Sequence, residues 1–265
     1  MGGRGLLSKT GGAEPWKIWD KNAEKYGLTL VKADHYDDPW VNKRDGSTIE
    51  DEVRKRVYLN AALQTINTLN NEILGVNTSK DAMPRFQVIY GGVDHRGREG
   101  IAGSAVPDFS DSSKYGATIY LHNLGLMHSS DTAAHEYIHA LTFQWTKDSF
   151  ATVAERQAAH DKMLIQEGIC RNALVRIGAL KKGQDMVKSV WKDNALTIHR
   201  YPGDDYGAKS YHETLTTSVQ MVMRYGDKAS PYAKAVVAEL RREARRRHAG
   251  IIKSAREYSK KYKQQ

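Results

Sequence analysis

Hydrophobic residues recur at helical spacing over residues 48–74, and this is the first firm element that the pattern predicts. The apolar positions on this face are Ile49, Val53, Val57, Leu59, Ala62, Leu63, Ile66, Leu69 and Ile73. Three short runs have the composition of strands: LTLV at 28–31, RFQVIY at 85–90 and ATIYLH at 117–122. The pattern therefore predicts a long amphipathic helix beside a small sheet.

The second half of the chain is mostly helical in pattern. One predicted helix contains HEYIH, with Ser129, Ser130 or Asp131 as its N-cap. Further helices are predicted at about 150–180, 209–225 and 231–260.

The intervening segments give weaker signals. VKSVWK (187–192) and ALTIHRY (195–201) have strand-like composition, whereas 94–116 is polar and glycine-rich and predicts a long loop. Residues 1–13 are glycine-rich and predict a flexible leader.

Positive charge is concentrated at the C-terminal end. The formal net charge is +9, and residues 241–265 hold ten Lys and Arg against Glu243 and Glu257, so the rest of the chain is nearly neutral. Such a basic helical tail can bind DNA or an acidic capsid surface, or it can be only a solvated helix end. No run reaches the roughly 18 to 20 apolar residues that cross a bilayer, so the sequence predicts no membrane insertion.

The segment HEYIH (135–139) carries the candidate chemistry. Residues four apart on a helix share one face, so His135 and His139 can bind one metal ion together. Glu136 follows directly, and its carboxylate can take a proton from a water molecule held at the remaining metal position. The spacing therefore predicts a catalytic zinc site.

The third ligand is harder to assign, because a catalytic zinc ion usually takes three protein ligands and one water. The candidates downstream are Glu155, Glu167 and Glu213. Glu167 lies in a glutamate-glycine segment similar to the one that supplies the third ligand in several thermolysin-like and aminopeptidase-like enzymes. Glu213 and Ser210 have the spacing of a capping box, so Glu213 has an alternative structural role. The residues alone leave this choice open.

A family resemblance bears on this choice. HEYIHAL, then Tyr206 seven residues before Glu213, then a helix leading into Pro231 and another helix, resembles the zinc-peptidase domain of anthrax lethal factor and its phage-borne relatives. The resemblance covers about 115–245. It implies that the zinc ligands are His135, His139 and Glu213, that Glu136 is the base and that Tyr206 donates a hydrogen bond to the oxyanion.

The chain also departs from that family. The family commonly has Ala-Glu three and four residues after the ligand glutamate, where this chain has Thr216 and Thr217. An acidic partner behind the ligands is therefore missing. Such partners typically change metal affinity by about 10- to 100-fold.

The resemblance implies a zinc-dependent endopeptidase of phage or prophage origin, acting on a polypeptide substrate in the host cytoplasm or the virion. The alternative is a virion structural protein with a structural or decayed zinc site, whose tail (241–265) binds DNA or capsid.

The expected fold is α+β, a zincin-like metallopeptidase domain at 14–240 with a small mixed sheet and an HExxH helix. A mostly helical C-terminal lobe is expected to begin after about residue 146. The strand at 117–122 is expected at the sheet edge, where an extended peptide could lie along it. We expect His160, His199 and His212 to be surface or hydrogen-bonded histidines.

Overall fold

The chain has 265 residues. A computed structural model describes residues 23, 27–33, 40–41, 48–49, 52–76, 86–92, 102–113, 115–122, 126–199 and 204–262. The leader predicted at 1–13 lies outside the described residues.

Four strands form a mixed sheet: β1 (Leu28–Lys32), β4 (Phe86–Gly92), β5 (Gly103–Pro107) and β6 (Ala117–His122). Their order is β1-β4-β6-β5. β4 pairs in parallel with both β1 and β6, whereas β5 runs antiparallel to β6. The three predicted strands are confirmed.

Two short strands, β2 (Trp40–Val41) and β3 (Thr48–Ile49), form a separate antiparallel ladder. The helix predicted from residue 48 therefore begins later, at Glu52.

Two predictions about the sheet edge are wrong. The segment 94–116 was expected to be a loop, but it contains β5, and the strand at 117–122 was expected at the edge, but it lies between β4 and β5. GSAVP has little strand-forming composition of its own, and its pairing with β6 supplies the hydrogen bonds that hold it extended.

Helices make up most of the rest. They are α1 (Glu52–Thr68), continued by a π-helical turn (Leu69–Ile73), α2 (Leu126–Ser149), α3 (Val153–Asp161), α4 (Leu164–Arg176), α5 (Lys188–Ala195), α6 (Tyr211–Tyr225) and α7 (Pro231–Tyr262). Among the residues described, no helix combines the length and apolarity that a membrane span requires. The protein is therefore α+β, with a small mixed sheet and mostly helical content.

Several predicted helices and strands have different bounds. The stretch at 150–180 is two helices, because Met163 between α3 and α4 adopts a left-handed conformation with φ 52°. VKSVWK was predicted as a weak strand and instead enters α5, and the described part of ALTIHRY contains no strand. α2 begins at Leu126, so the proposed caps Ser129, Ser130 and Asp131 lie within it.

The long helix α2 is the central element of the core. One side packs on α1, β5 and β6, and another side packs on α6. Its apolar residues Ala133, Tyr137, Ile138 and Leu141 are buried, and the Tyr137 ring meets Phe86 of β4 edge-on at 5.6 Å. Full burial of one large apolar side chain contributes about 1.5 to 3 kcal/mol, so this face fixes α2 firmly against the sheet.

The basic run at the start of the tail contacts the protein body. Arg241 donates hydrogen bonds to the carbonyls of Glu72 and Ile73, at 2.8 and 2.6 Å. Arg247 donates to the Trp145 carbonyl at 3.2 Å, and its guanidinium lies 5.4 Å from the Trp145 ring centre. These contacts tie α7 to the ends of α1 and α2.

Candidate metal centre

The two histidines of HEYIH lie one turn apart on the side of α2 that faces α6. Their Nε2 atoms are 3.1 Å apart, and their rings meet nearly at right angles with centres 4.7 Å apart. His135 is buried and the His139 side chain is 12% exposed. Because the other side of α2 is fixed in the core, both imidazoles are held towards α6.

Glu213 approaches these histidines from the first turn of α6. Ser210 caps this helix by accepting a hydrogen bond from the Glu213 backbone N–H at 3.2 Å. The Glu213 carboxylate turns to the imidazoles, with Oε2 3.1 Å from His135 Nε2 and Oε1 3.8 Å from His139 Nε2. Ligand atoms of the three residues all lie within 4.8 Å of one another, so the group can hold one metal ion.

The other two candidate ligands lie elsewhere. Glu155 is exposed and closes a capping box with Thr152 at the start of α3. Glu167 lies on α4 and does not belong to the cluster. In the part of the chain that the structure describes, His135, His139 and Glu213 form the one such group of three or more.

The protonation states of Glu213 and His139 suit a cation. Burial raises the pKa of Glu213, but the hydrogen bond from His135 and the charges of the neighbouring histidines outweigh burial and bring this pKa to about 2. Burial and the charge of His135 lower the pKa of His139 well below its ordinary value. An ionised carboxylate and a neutral imidazole are the forms that bind metal, and Glu213 and His139 are held in these forms.

Glu136 lies beside the cluster under the sheet edge. The residue is buried, and the Ala105 backbone of β5 hydrogen-bonds to its carboxylate. Burial raises the pKa of Glu136, the charge of His135 opposes this shift, and the resulting value is about 7. A carboxylate with a pKa near neutrality is well matched to general base catalysis.

Tyr206 lies on the other side of His135. It opens a 3-10 turn (Tyr206–Ala208) just before α6, and its ring centre is 5.9 Å from that of His135. The Lys209 ammonium sits 4.3 Å above the tyrosine ring, and the Tyr206 N–H donates to the Asp204 carboxylate at 2.9 Å. These contacts hold the turn so that the tyrosine borders the histidine pair.

An aromatic cluster flanks His139. The His212 ring lies 5.7 Å from that of His139, 5.4 Å from Phe143 and 5.4 Å from His160. Burial lowers the pKa of His212 to about 4 and also lowers that of His160. Both residues are partly buried, and their Nδ1 atoms have no hydrogen-bond partner among the described residues. His199 is exposed, as predicted.

Two polar contacts behind the ligands were missed from the sequence. The Thr216 hydroxyl lies 3.4 Å from Glu213 Oε2, and Gln220 Oε1 lies 3.4 Å from His135 Nδ1. The signal was their spacing from Glu213, one and two turns further along α6. Threonine and glutamine at these positions belong to no familiar metal-binding motif, so the spacing alone did not predict these contacts.

Two imidazoles and one carboxylate are a ligand set typical of catalytic zinc, which leaves a position for water. The set is not specific, because imidazole also suits iron, nickel and copper. The chain matches no protein-family model, and no curated protein or solved structure is significantly similar to it.

Proposed function

We propose that the chain is a zinc-dependent endopeptidase of phage or prophage origin, with a zincin-like fold similar to the catalytic domain of anthrax lethal factor. One observation carries the proposal: His135, His139 and Glu213 converge, with the buried acid Glu136 next to them. His135, Glu136 and His139 come from the HEYIH motif on α2, and Glu213 comes from the distant helix α6, as the resemblance implies.

The residues divide the reaction between them. A bound zinc ion supplies a Lewis acid and lowers the pKa of its water to about 7. Glu136 accepts a proton from the attacking water and later returns it to the leaving amine. The Tyr206 hydroxyl stabilises the oxyanion of the tetrahedral state, an interaction typically contributing a hundredfold or more in rate.

The substrate is proposed to be an extended polypeptide lying along β5. This strand forms the outer edge of the described sheet, and its Ala105 backbone touches the Glu136 carboxylate. A peptide that pairs with a sheet edge gains main-chain hydrogen bonds that do not depend on its sequence. Such pairing would bring the scissile carbonyl to Glu136 and the metal.

The alternative of a virion structural protein that binds DNA or capsid through the tail (241–265) receives less support. Arg241, Arg245 and Arg247 at the start of that tail donate hydrogen bonds to carbonyls of the chain itself. Guanidinium groups held in this way contribute less to a surface for phosphates. The host cytoplasm and the virion both remain proposed locations.

The test is Glu136→Gln. We expect hydrolysis of a general protein substrate such as casein to fall by at least about 100-fold, because the base is lost. The bound zinc, measured by elemental analysis, should stay near one ion per chain because the ligands are intact.

Glu167→Gln is the matched control, since it makes the same change on α4 outside the cluster, and it should keep full activity. A Glu136→Gln protein as active as the unmodified chain would refute the peptidase.

A further inference from the structure

We propose that a basic cavity between α4 and α7 binds a small anion that carries two or more phosphate groups. The two helices pack against each other, and the cavity that opens beside their contact has a volume of about 580 Å³. It shares no residue with the metal centre. The inference therefore does not depend on the proposed peptidase.

Positive charge dominates the lining of this cavity. Arg171 and Arg176 line it from α4, Lys182 lines it from the turn after α4, and Glu239 and Arg242 line it from α7. Four cationic side chains meet one carboxylate, so the lining carries a net charge of +3. An anion in the cavity is attracted by all four cations at once, at a surface where no other single place offers it this.

The buried carboxylate of Glu239 fixes two of these cations. Its side chain is 3% exposed, and its Oε1 accepts hydrogen bonds from Arg176 Nε at 2.7 Å and from Arg242 Nη2 at 2.5 Å. The Arg176 and Arg242 side chains are 45% and 63% exposed. A guanidinium has five N–H donors, so both groups keep donors for a ligand. Because they are held in place beforehand, binding costs less side-chain ordering.

The other two cations are available to a ligand. Arg171 and Lys182 are exposed, and neither forms an ion pair with any residue that the structure describes. A tight turn brings Lys182 to the cavity: Gly183 has φ 83°, and the Gln184 N–H donates to the Lys181 carbonyl at 3.1 Å. Glycine permits this turn because other residues rarely adopt such a positive φ.

The residues of the cavity favour phosphate groups. Planar guanidinium groups match phosphate oxygens with paired hydrogen bonds, and an ammonium group adds a point charge. None of the described residues that line the cavity is aromatic, so it offers no ring on which a nucleobase could stack. Two linked phosphates carry about three negative charges near neutral pH, which balances the charge of the lining.

The test is a calorimetric titration of the full chain with inorganic pyrophosphate, comparing Lys182→Gln with Lys181→Gln. Lys181 and Lys182 are neighbouring exposed lysines, and of the two only Lys182 lines the cavity. Both substitutions remove one positive charge. A difference between them therefore reports contact in the cavity and not the net charge of the protein.

We expect the unmodified chain to bind one pyrophosphate. Lys182→Gln should weaken binding by at least about 10-fold, the effect of losing one charged hydrogen bond. Lys181→Gln should weaken it by less than about threefold, because salt screens a charge outside the cavity. Arg171→Gln repeats the test from α4 and should resemble Lys182→Gln, so the result does not depend on the folding of one variant.

The proposal is overturned if pyrophosphate does not bind, or if it binds the unmodified chain and all three variants equally, which would place it elsewhere, the metal centre included. It is also overturned if a hexaglutamate peptide or a DNA duplex binds more tightly than pyrophosphate and loses affinity in Lys182→Gln. The cavity would then serve an acidic protein or a nucleic acid. Failure of zinc binding or of hydrolysis leaves this result unaffected, because the two sites share no residue.

Discussion

At the scale of single residues, the site depends on how closely β5 approaches α2. A methyl group added at Gly103 would lie 2.5 Å from Thr132 Cγ2, 2.9 Å from the Tyr120 carbonyl and 3.0 Å from Glu136 Cγ. Only glycine fits between the paired strand and the helix here. The close approach places the Ala105 backbone against the Glu136 carboxylate.

We predict that Gly103→Ala destabilises the protein by about 1 to 3 kcal/mol, because backbone and helix must separate to admit the methyl group. Urea denaturation measures the change. Gly168→Ala is the matched control, since Gly168 lies in α4 with nothing within 4 Å of the added atom. It should stabilise by up to about 1 kcal/mol, through the better helix propensity of alanine. Equal losses in both variants would contradict the crowding at Gly103.

Residue patterns predicted the histidine pair and offered Glu213 among three carboxylates. They could not choose between Glu213 and Glu167, because the choice depends on which helix start packs against α2. The contacts of Gln220 were missed for a related reason, because both of its partners, Asp131 and His135, lie on another helix.

At the scale of elements, the basic start of the tail works as an anchor for α7. Arg241 donates to two carbonyls at the end of the π-helical turn, where the α1 ladder leaves acceptors without an internal partner. Arg246, by contrast, is 65% exposed and pairs with Glu243, which also holds Arg247.

We predict that Arg241→Met lowers the free energy of unfolding by about 1 to 2 kcal/mol, because two carbonyls lose a charged donor. Arg246→Met should change it by less than about 0.5 kcal/mol. Chemical denaturation of the two variants, side by side with the unmodified chain, decides this. Equal changes in the free energy of unfolding for the two variants would show that Arg241 is only a solvated charge.

Elements with strong hydrophobic periodicity were predicted correctly, whereas elements whose conformation depends on the neighbouring elements were not. The strands β4 and β6 and the helices α6 and α7 carry their own patterns of apolar residues. β5 is extended because β6 pairs with it, although its composition resembles a loop. α5 was taken for a strand because VKSVWK is short and β-branched, but Trp191 packs on Tyr211 of α6 from a helix.

At the scale of the whole molecule, a metal ion would join two halves of the chain. His135 and His139 come from α2 beside the sheet, and Glu213 comes from α6 in the helical half. The division into lobes at about residue 146 stays a prediction. An ion bound by both helices binds the folded state and not the unfolded one, so it adds its binding free energy to folding.

We predict that zinc at about a thousandfold its dissociation constant stabilises the protein by about 4 kcal/mol, and that a chelator reverses this. Thermal denaturation with and without zinc measures the effect. Glu213→Gln should lose most of the stabilisation, whereas Glu167→Gln should retain it. If zinc stabilised Glu213→Gln as much as it stabilises the unmodified chain, Glu213 would not be a metal ligand.

The separation of the ligands along the chain has a consequence for synthesis. When α2 leaves the ribosome, it carries both histidines and the base, but α6 is not yet made. At that stage the nascent chain contains two of the three proposed metal ligands, so the metal site is still incomplete. The proposed peptidase activity would therefore begin only after α6 has been made and has packed against α2.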